Sequence, residues 1–240
     1  MSVPAWFLDE LAYAGPEHRD PAYVATYDQK SATDPTADVD LLRAAKLGDT
    51  SVVVDLGAGT GTFALAAALY CGRMIAVDVS PAMLTALQAR GQQLGLRNVE
   101  CAQAGFLSYE HVGAPADFVY SRHALHHLPD FWKALALTRI ADMMRPGGVF
   151  VLRDLIFSFE PAEAPQRIEA WLASADERPR DGQVGWTRAE LEEHVRAEYS
   201  AFSWLLEPML QRAGFDIERA EHSPSGIYSA YTCVKRQTSR

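Results

Sequence analysis

The stretch Val52-Val53-Val54-Asp55-Leu56-Gly57-Ala58-Gly59-Thr60-Gly61 decides the fold. Val52–Leu56 is a short apolar run of the kind shown by a parallel strand buried on both faces. Three glycines follow at alternate positions, and Thr62–Cys71, rich in Ala and Leu, then reads as a helix. Glycines between a strand and a helix let the backbone turn sharply and let a ligand approach the main chain closely.

Outward from this unit, the chain alternates strands and helices. Met74–Val79 is a strand, and Ser80-Pro81 opens a helix with Pro at its first position that runs to Gly95, a C-cap. Val99–Ala102, Phe118–Tyr120 and Val149–Leu152 are further strands. Between the last two lies a helix over Asp130–Met144, stopped by Pro146-Gly147-Gly148. Residues 157–240 break the rhythm. Glu163–Ala173 is helical, a polar loop passes Pro179 and Gly182-Gln183, and one long helix spans Thr187–Ala213, opened by the capping box of Thr187 with Glu190. Phe215–Ala220 and Tyr228–Val234, joined by Ser223-Pro224-Ser225-Gly226, form an antiparallel hairpin.

The expected class is α/β: a doubly wound, mostly parallel seven-stranded sheet with an antiparallel terminal hairpin and a helical cap insertion. The domain covers 38–240, with 157–213 as the cap over a cofactor cleft. Residues 1–37 form an N-terminal lid segment, with one short amphipathic helix around Trp6, Phe7, Leu8 and Leu11 and turns at Gly15-Pro16 and Asp34-Pro35.

The formal net charge of −9 argues against broad nucleic-acid or anionic-membrane binding, which needs a basic face. Cys71, Cys101 and Cys233 are far apart and offer neither a disulfide framework nor a CxxC pattern. No stretch approaches the ~18 apolar residues of a membrane span. The start, Met1-Ser2-Val3-Pro4 with an acidic Asp9-Glu10 helix, lacks a basic leader, so a cytoplasmic location is expected.

Spacing narrows the ligand. Dinucleotide loops read G-x-G-x-x-G, with the third glycine packed close for a pyrophosphate. Here the order is Gly57-x-Gly59-x-Gly61 with Thr62 next, and no Gly-Lys-Ser/Thr ending follows. The loop suits a methionine-bearing nucleoside better than phosphates. Seventeen residues after Gly61, at the end of the next strand, stands Asp78. It either accepts hydrogen bonds from both ribose hydroxyls or stabilises the helix N-terminus beside it. Val79 and Met83 are placed to press on an adenine ring, Met83 serving equally as core.

With these residues in view, Val52–Gly61, Ala76–Ser80, Asp117–Leu128 and Arg145–Leu155 resemble the successive motifs of class I, Rossmann-like methyltransferases. The Tyr27-Asp28 pair ahead of the loop is similar to small stand-alone bacterial members. The resemblance implies S-adenosyl-L-methionine as cofactor. Gly57, Ala58, Gly59 and Gly61 would line its methionine and ribose, Asp55 would anchor the loop or meet the amino group through water, and Tyr27 would cover the methionine end. Ser121 and Arg122 would form the floor beneath the methyl donor. The family commonly has an aspartate after the third strand for the adenine amino group. This chain has Gly105 there, in Gln103-Ala104-Gly105-Phe106-Leu107, which leaves backbone amides and stacking by Phe106 to hold the ring.

Methyl transfer needs an acceptor held in line and, where the acceptor arrives protonated, a base. His126, of the pair His126-His127, and Asp154 at the end of the fifth strand are the catalytic candidates. Asp154 has an alternative as an ion-pair partner of Arg153 or Arg122. His194 and Glu198, four apart, read as part of a solvated charge network on the long helix. No metal is expected, because no third ligand stands at ligand spacing. Trp186, Tyr199, Phe202 and Trp204 are expected mostly in the core, with one or two left for an apolar acceptor pocket. The partner is a small-molecule acceptor, with a macromolecular acceptor or a non-catalytic cofactor-binding role as alternatives.

Overall fold

The computed structural model describes residues 4–15, 18, 20–31, 33–176 and 185–237. The turn at Pro16 and the loop through Pro179 and Gly182-Gln183 lie outside them. Strands β1 (Val52–Leu56), β2 (Arg73–Asp78), β3 (Val99–Gln103), β4 (Ala116–Arg122), β5 (Met144–Phe157), β6 (Ala201–Phe202), β7 (Phe215–His222) and β8 (Tyr228–Lys235) build one sheet. Seven of them run in the order β3-β2-β1-β4-β5-β8-β7, with β6 pairing only β5. The pairs β1–β2, β1–β4, β2–β3 and β4–β5 are parallel, whereas β5–β8 and β7–β8 are antiparallel. The expected seven-stranded sheet with its terminal hairpin is thus the fold, with a two-residue eighth strand added.

Strand periodicity explains the layers. Val53 of β1 faces a core containing residues of α3 (Thr36–Ala44), α4 (Thr62–Ala67) and α5 (Pro81–Gln93). Val52, Val54 and Leu56 face the opposite core, with residues of α6 (Asp130–Met143) and α9 (Ser203–Arg212). Buried on both faces, β1 has no solvent-facing side, and four of its five residues are apolar, with Asp55 the exception. The order reverses at β1 and β4, so their carboxyl ends part to leave a crevice.

Three expectations change. A second N-terminal helix, α2 (Pro21–Ser31), occupies sequence read as turn-rich, after a short α1 (Glu10–Tyr13) capped by Asp9. β5 starts at Met144 and absorbs Pro146-Gly147-Gly148. The long helix over Thr187–Ala213 is broken into α8 (Arg188–Ala197), β6 and α9, while α7 (Ala164–Asp176) precedes it. Glu198 ends α8 in extended backbone (φ −104°, ψ 164°). Tertiary partners outweigh helix continuation there: the Tyr199 N–H donates to His126 O at 2.9 Å, and Ala201 and Phe202 pair with Ile156 and Phe157. Among the described residues no helix is long and apolar enough to cross a membrane.

Asp38, buried on α3, locks this helix to the sheet. It accepts from Tyr120 Oη at 2.7 Å, from Arg122 Nη1 at 3.3 Å and from Arg153 Nε. The arginines that the sequence offered to Asp154 are therefore engaged by Asp38. Replacing it strands two guanidiniums and a buried hydroxyl, but the arginines keep partial hydration. Asp38→Ala should cost about 2–3 kcal/mol, below the 3–5 of a fully buried pair. Urea unfolding should show the midpoint falling with an unchanged slope.

Candidate functional site

Beyond β1, the loop is held by its own backbone. The N–H groups of Gly57 and Ala58 both donate to Val77 O, at 2.9 and 3.0 Å. Gly57 has φ +77°, and a Cβ on it would lie 2.3 Å from Ala124 Cβ. Gly61, at φ +87°, opens α4, and a Cβ there would meet Leu87 Cγ at 2.5 Å. Only glycine meets both demands at these positions. Asp55 is buried under the loop and accepts from the Ala64 N–H; burial, reinforced by the charge of Asp78, raises its pKa well above the ordinary range.

Asp78, at the end of β2, joins the loop to α5. Its Oδ2 accepts from Gly59 N and its Oδ1 from Ser80 N, each at 2.8 Å. Burial raises its pKa, and these two N–H donors pull it back. Ser80 then caps α5, accepting from Met83 N at 3.2 Å, while its hydroxyl donates to His18 O at 2.5 Å.

A cleft opens over this joint. Nine of the residues assigned to the cofactor from sequence line it: Tyr27, Gly57, Gly59, Asp78, Val79, Met83, Gly105, Phe106 and Arg122. Asp55, Ala58, Gly61 and Ser121 are not among its lining residues and stand behind it. The Ser121 side chain is wholly buried and donates to Leu56 O at 2.8 Å. A Cβ on Gly59 would find only Tyr27 Cε1, at 4.0 Å, so this main chain faces open space.

The position of the absent aspartate is filled from elsewhere. Glu10, on α1, reaches the loop after β3, where a Cβ on Gly105 would lie 2.3–2.7 Å from the Glu10 carboxylate atoms. Its Oε1 accepts from Leu107 N at 2.9 Å and its Oε2 from Ser108 Oγ at 2.7 Å. It lines the cleft, and burial raises its pKa against those hydrogen bonds. Glu10 is only 9% exposed, far below what a charged residue on a four-residue helix would show without a built site. The sequence signalled it only through the missing side chain at Gly105.

His126 and Asp154 line a second cavity of about 950 Å³ that shares His18, Tyr27, Arg122, His123 and His127 with the cleft. Asp154 takes the His126 backbone N–H at 3.0 Å and lies 2.5 Å from Nδ1 of its ring. The other ring nitrogen, Nε2, lies 3.0 Å from Glu198 Oε2, which also contacts His194 Nδ1. Burial disfavours the charged ring of His126, yet Asp154 and Glu198 together hold its pKa up at about 9. Burial likewise raises Asp154, but His126 overcomes this and holds it at about 2. Burial leaves His123 and His127 neutral, lowered to about 4 and about 3.

His194 and Glu198 are thus not a solvated helix face: their side chains are 11% and 25% exposed and meet His126. Sequence reasoning missed this because Glu198 ends α8 instead of continuing it. Of the four cap aromatics, Trp186 lines the large cavity with Trp171, and Phe202 packs against Phe157 and Phe159. Tyr199 and Trp204 are 39% and 54% exposed, because the break in the helix turns them outward.

Comparisons with known proteins place this geometry. Residues 53–148 match the family model described as a methyltransferase domain. The chain is 32% identical over 102 residues to an uncharacterized methyltransferase, YcgJ, of Bacillus subtilis, covering 42% of this chain and 40% of that one. It is 30% identical over 152 residues to a trans-aconitate 2-methyltransferase of Methylobacterium radiotolerans, covering 61% and 55%. The chain therefore spans about half the length of these curated relatives. The crystal structure of YcgJ superposes with TM-score 0.62 at 17% identity, over 84% of this chain and 99% of that one. Magnesium protoporphyrin IX methyltransferase from Synechocystis, solved with bound SAH, gives 0.60 at 17% identity, over 84% and 81%. Residues 53–148 thus match a methyltransferase domain, and the architecture is the Rossmann-like fold of these solved methyltransferases.

Proposed function

We propose that the chain transfers a methyl group from S-adenosyl-L-methionine to a small-molecule acceptor held in the large cavity. The observation that carries this reading is the pair of buried carboxylates, Asp78 and Glu10, lining one cleft beside an open glycine main chain. Each oxygen of either carboxylate carries at least one protein hydrogen bond, Glu10 also taking the Ser108 N–H, and each carboxylate retains acceptor capacity. Asp78 suits a ribose diol, and Glu10 suits an exocyclic amine such as that of adenine, with Val79, Met83 and Phe106 offering apolar faces to the ring. Tyr27 and Arg122 stand where the cleft meets the cavity, the place for the methionine end.

The cofactor when bound supplies a methyl group already activated on a sulfonium, and its displacement is in line. The protein's task is to hold the acceptor behind that methyl in a dry site, worth roughly 7–11 kcal/mol of barrier. His126, fixed by Asp154, faces the acceptor cavity and is the group that polarises the acceptor there. The α1–α2 segment acts as a lid, since Glu10, His18 and Tyr27 all line the cleft, and α7 and α8 cap the acceptor side. A recessed cavity of this size and a net charge of −9 favour a small acceptor over nucleic acid.

Titration calorimetry with S-adenosylhomocysteine tests the reading. Wild-type protein should bind one equivalent, and Asp78→Ala should weaken binding about 100-fold, the loss of two charge-assisted hydrogen bonds of about 1.5 kcal/mol each. Absence of binding by the wild-type chain would contradict the reading. Glu10→Ala should weaken binding about 10-fold. Adding Gly105→Asp to that variant should restore most of it, whereas Gly105→Asp alone meets the Glu10 carboxylate and should bind worse than wild type. If the double variant recovers nothing, Glu10 only anchors the lid.

A further inference from the structure

In the cavity wall, His126 from the turn after β4 meets His194 and Glu198 from the end of α8. One donor atom from each of the three residues lies within 4.8 Å of the other two. Each imidazole has its outer nitrogen engaged: His126 Nδ1 is 2.5 Å from Asp154 Oδ1, and His194 Nε2 is 2.8 Å from Ser200 Oγ. The inner nitrogens, His126 Nε2 and His194 Nδ1, both turn to the same oxygen, Glu198 Oε2. A neutral imidazole that donates from its outer nitrogen presents a bare lone pair on the inner one. Around Glu198 Oε2 that convergence is held either by protons on the inner nitrogens or by a metal cation that takes their place.

We propose that this triad binds a divalent first-row transition-metal ion. The ion would stand against two carboxylates, Glu198 as ligand and Asp154 behind His126, leaving the buried site neutral. Asp154–His126 is then the carboxylate–histidine arrangement that fixes a ligand's tautomer, and Ser200 does the same for His194. Two imidazoles and one carboxylate suit zinc or manganese and are poor ligands for the harder magnesium and calcium. Three protein ligands leave at least one coordination position, and all three line the acceptor cavity. A hydroxyl or carboxylate of the acceptor is the class of ligand that would take it, losing its proton more readily when metal-bound. The role in methyl transfer rests on the function proposed above; the site itself does not.

The test is equilibrium dialysis of the chelator-stripped full chain against Zn2+, Mn2+ and Mg2+, read by elemental analysis. One equivalent of Zn2+ should be retained at low micromolar concentration and no Mg2+. His194→Ala and Glu198→Gln should each weaken retention at least 100-fold, with folding checked by circular dichroism. Asp154→Asn, which leaves the three ligands in place, should weaken it 10–100-fold. A Co2+ replacement should show visible ligand-field absorption that disappears in His194→Ala. No retained metal at 100 µM, or equal retention by wild type and His194→Ala, would overturn the proposal. S-adenosylhomocysteine binding measured on the same stripped and loaded samples separates the two readings. Binding without metal retention defeats only the metal site, and metal retention without binding defeats only the cofactor.

Discussion

The Asp78 carboxylate is the joint on which the rest of this molecule depends. One oxygen holds the glycine loop that leaves β1, and the other holds the first turn of α5 beyond β2. Without it the crevice between two parallel strands would be only a gap at a sheet edge. With it, the Gly59 main chain, the helix start and a buried acceptor are fixed relative to one another. Charge buried in this way is costly, and the two backbone donors offset that cost. In the function proposed above, a ligand bringing two more hydroxyl donors would complete that coordination.

Around this joint, segments remote in sequence converge. The Gly105 backbone approaches the Glu10 carboxylate too closely for any side chain, so the N-terminal helix is part of the wall opposite Asp78. Arg122 and Arg153, projecting from β4 and β5, both pair with Asp38 of α3, which leaves Asp154 to His126. That exchange of partners shapes the wall of the large cavity. Had Asp154 paired with an arginine, His126 would have lost its outer carboxylate and its fixed orientation.

The sheet was legible from the chain because its signals are local: a five-residue run with four apolar residues, alternate glycines, Ser80-Pro81 at a helix start, and turn residues before a hairpin. Eight of the nine cleft residues named from sequence follow the same logic, as they flank strand ends whose positions the pattern fixes; Tyr27, on α2, was named through the family resemblance. Glu10 was not legible, because the residue that makes room for it is 95 positions away and is known only by what it lacks. The break at Glu198 was hidden for a similar reason. Residues 187–213 have ample helix propensity, and only the backbone of His126 and the edge of β5 divert them. The His126, His194 and Glu198 cluster, invisible to any search by ligand spacing, follows directly from that diversion.

A crystal structure of the chain with S-adenosylhomocysteine tests the account most directly. It should show the ribose hydroxyls on Asp78, the adenine amino group on Glu10, and the sulfur pointing past Tyr27 and Arg122 toward His126. A ligand bound outside this cleft, or one whose ribose does not meet Asp78, would contradict it.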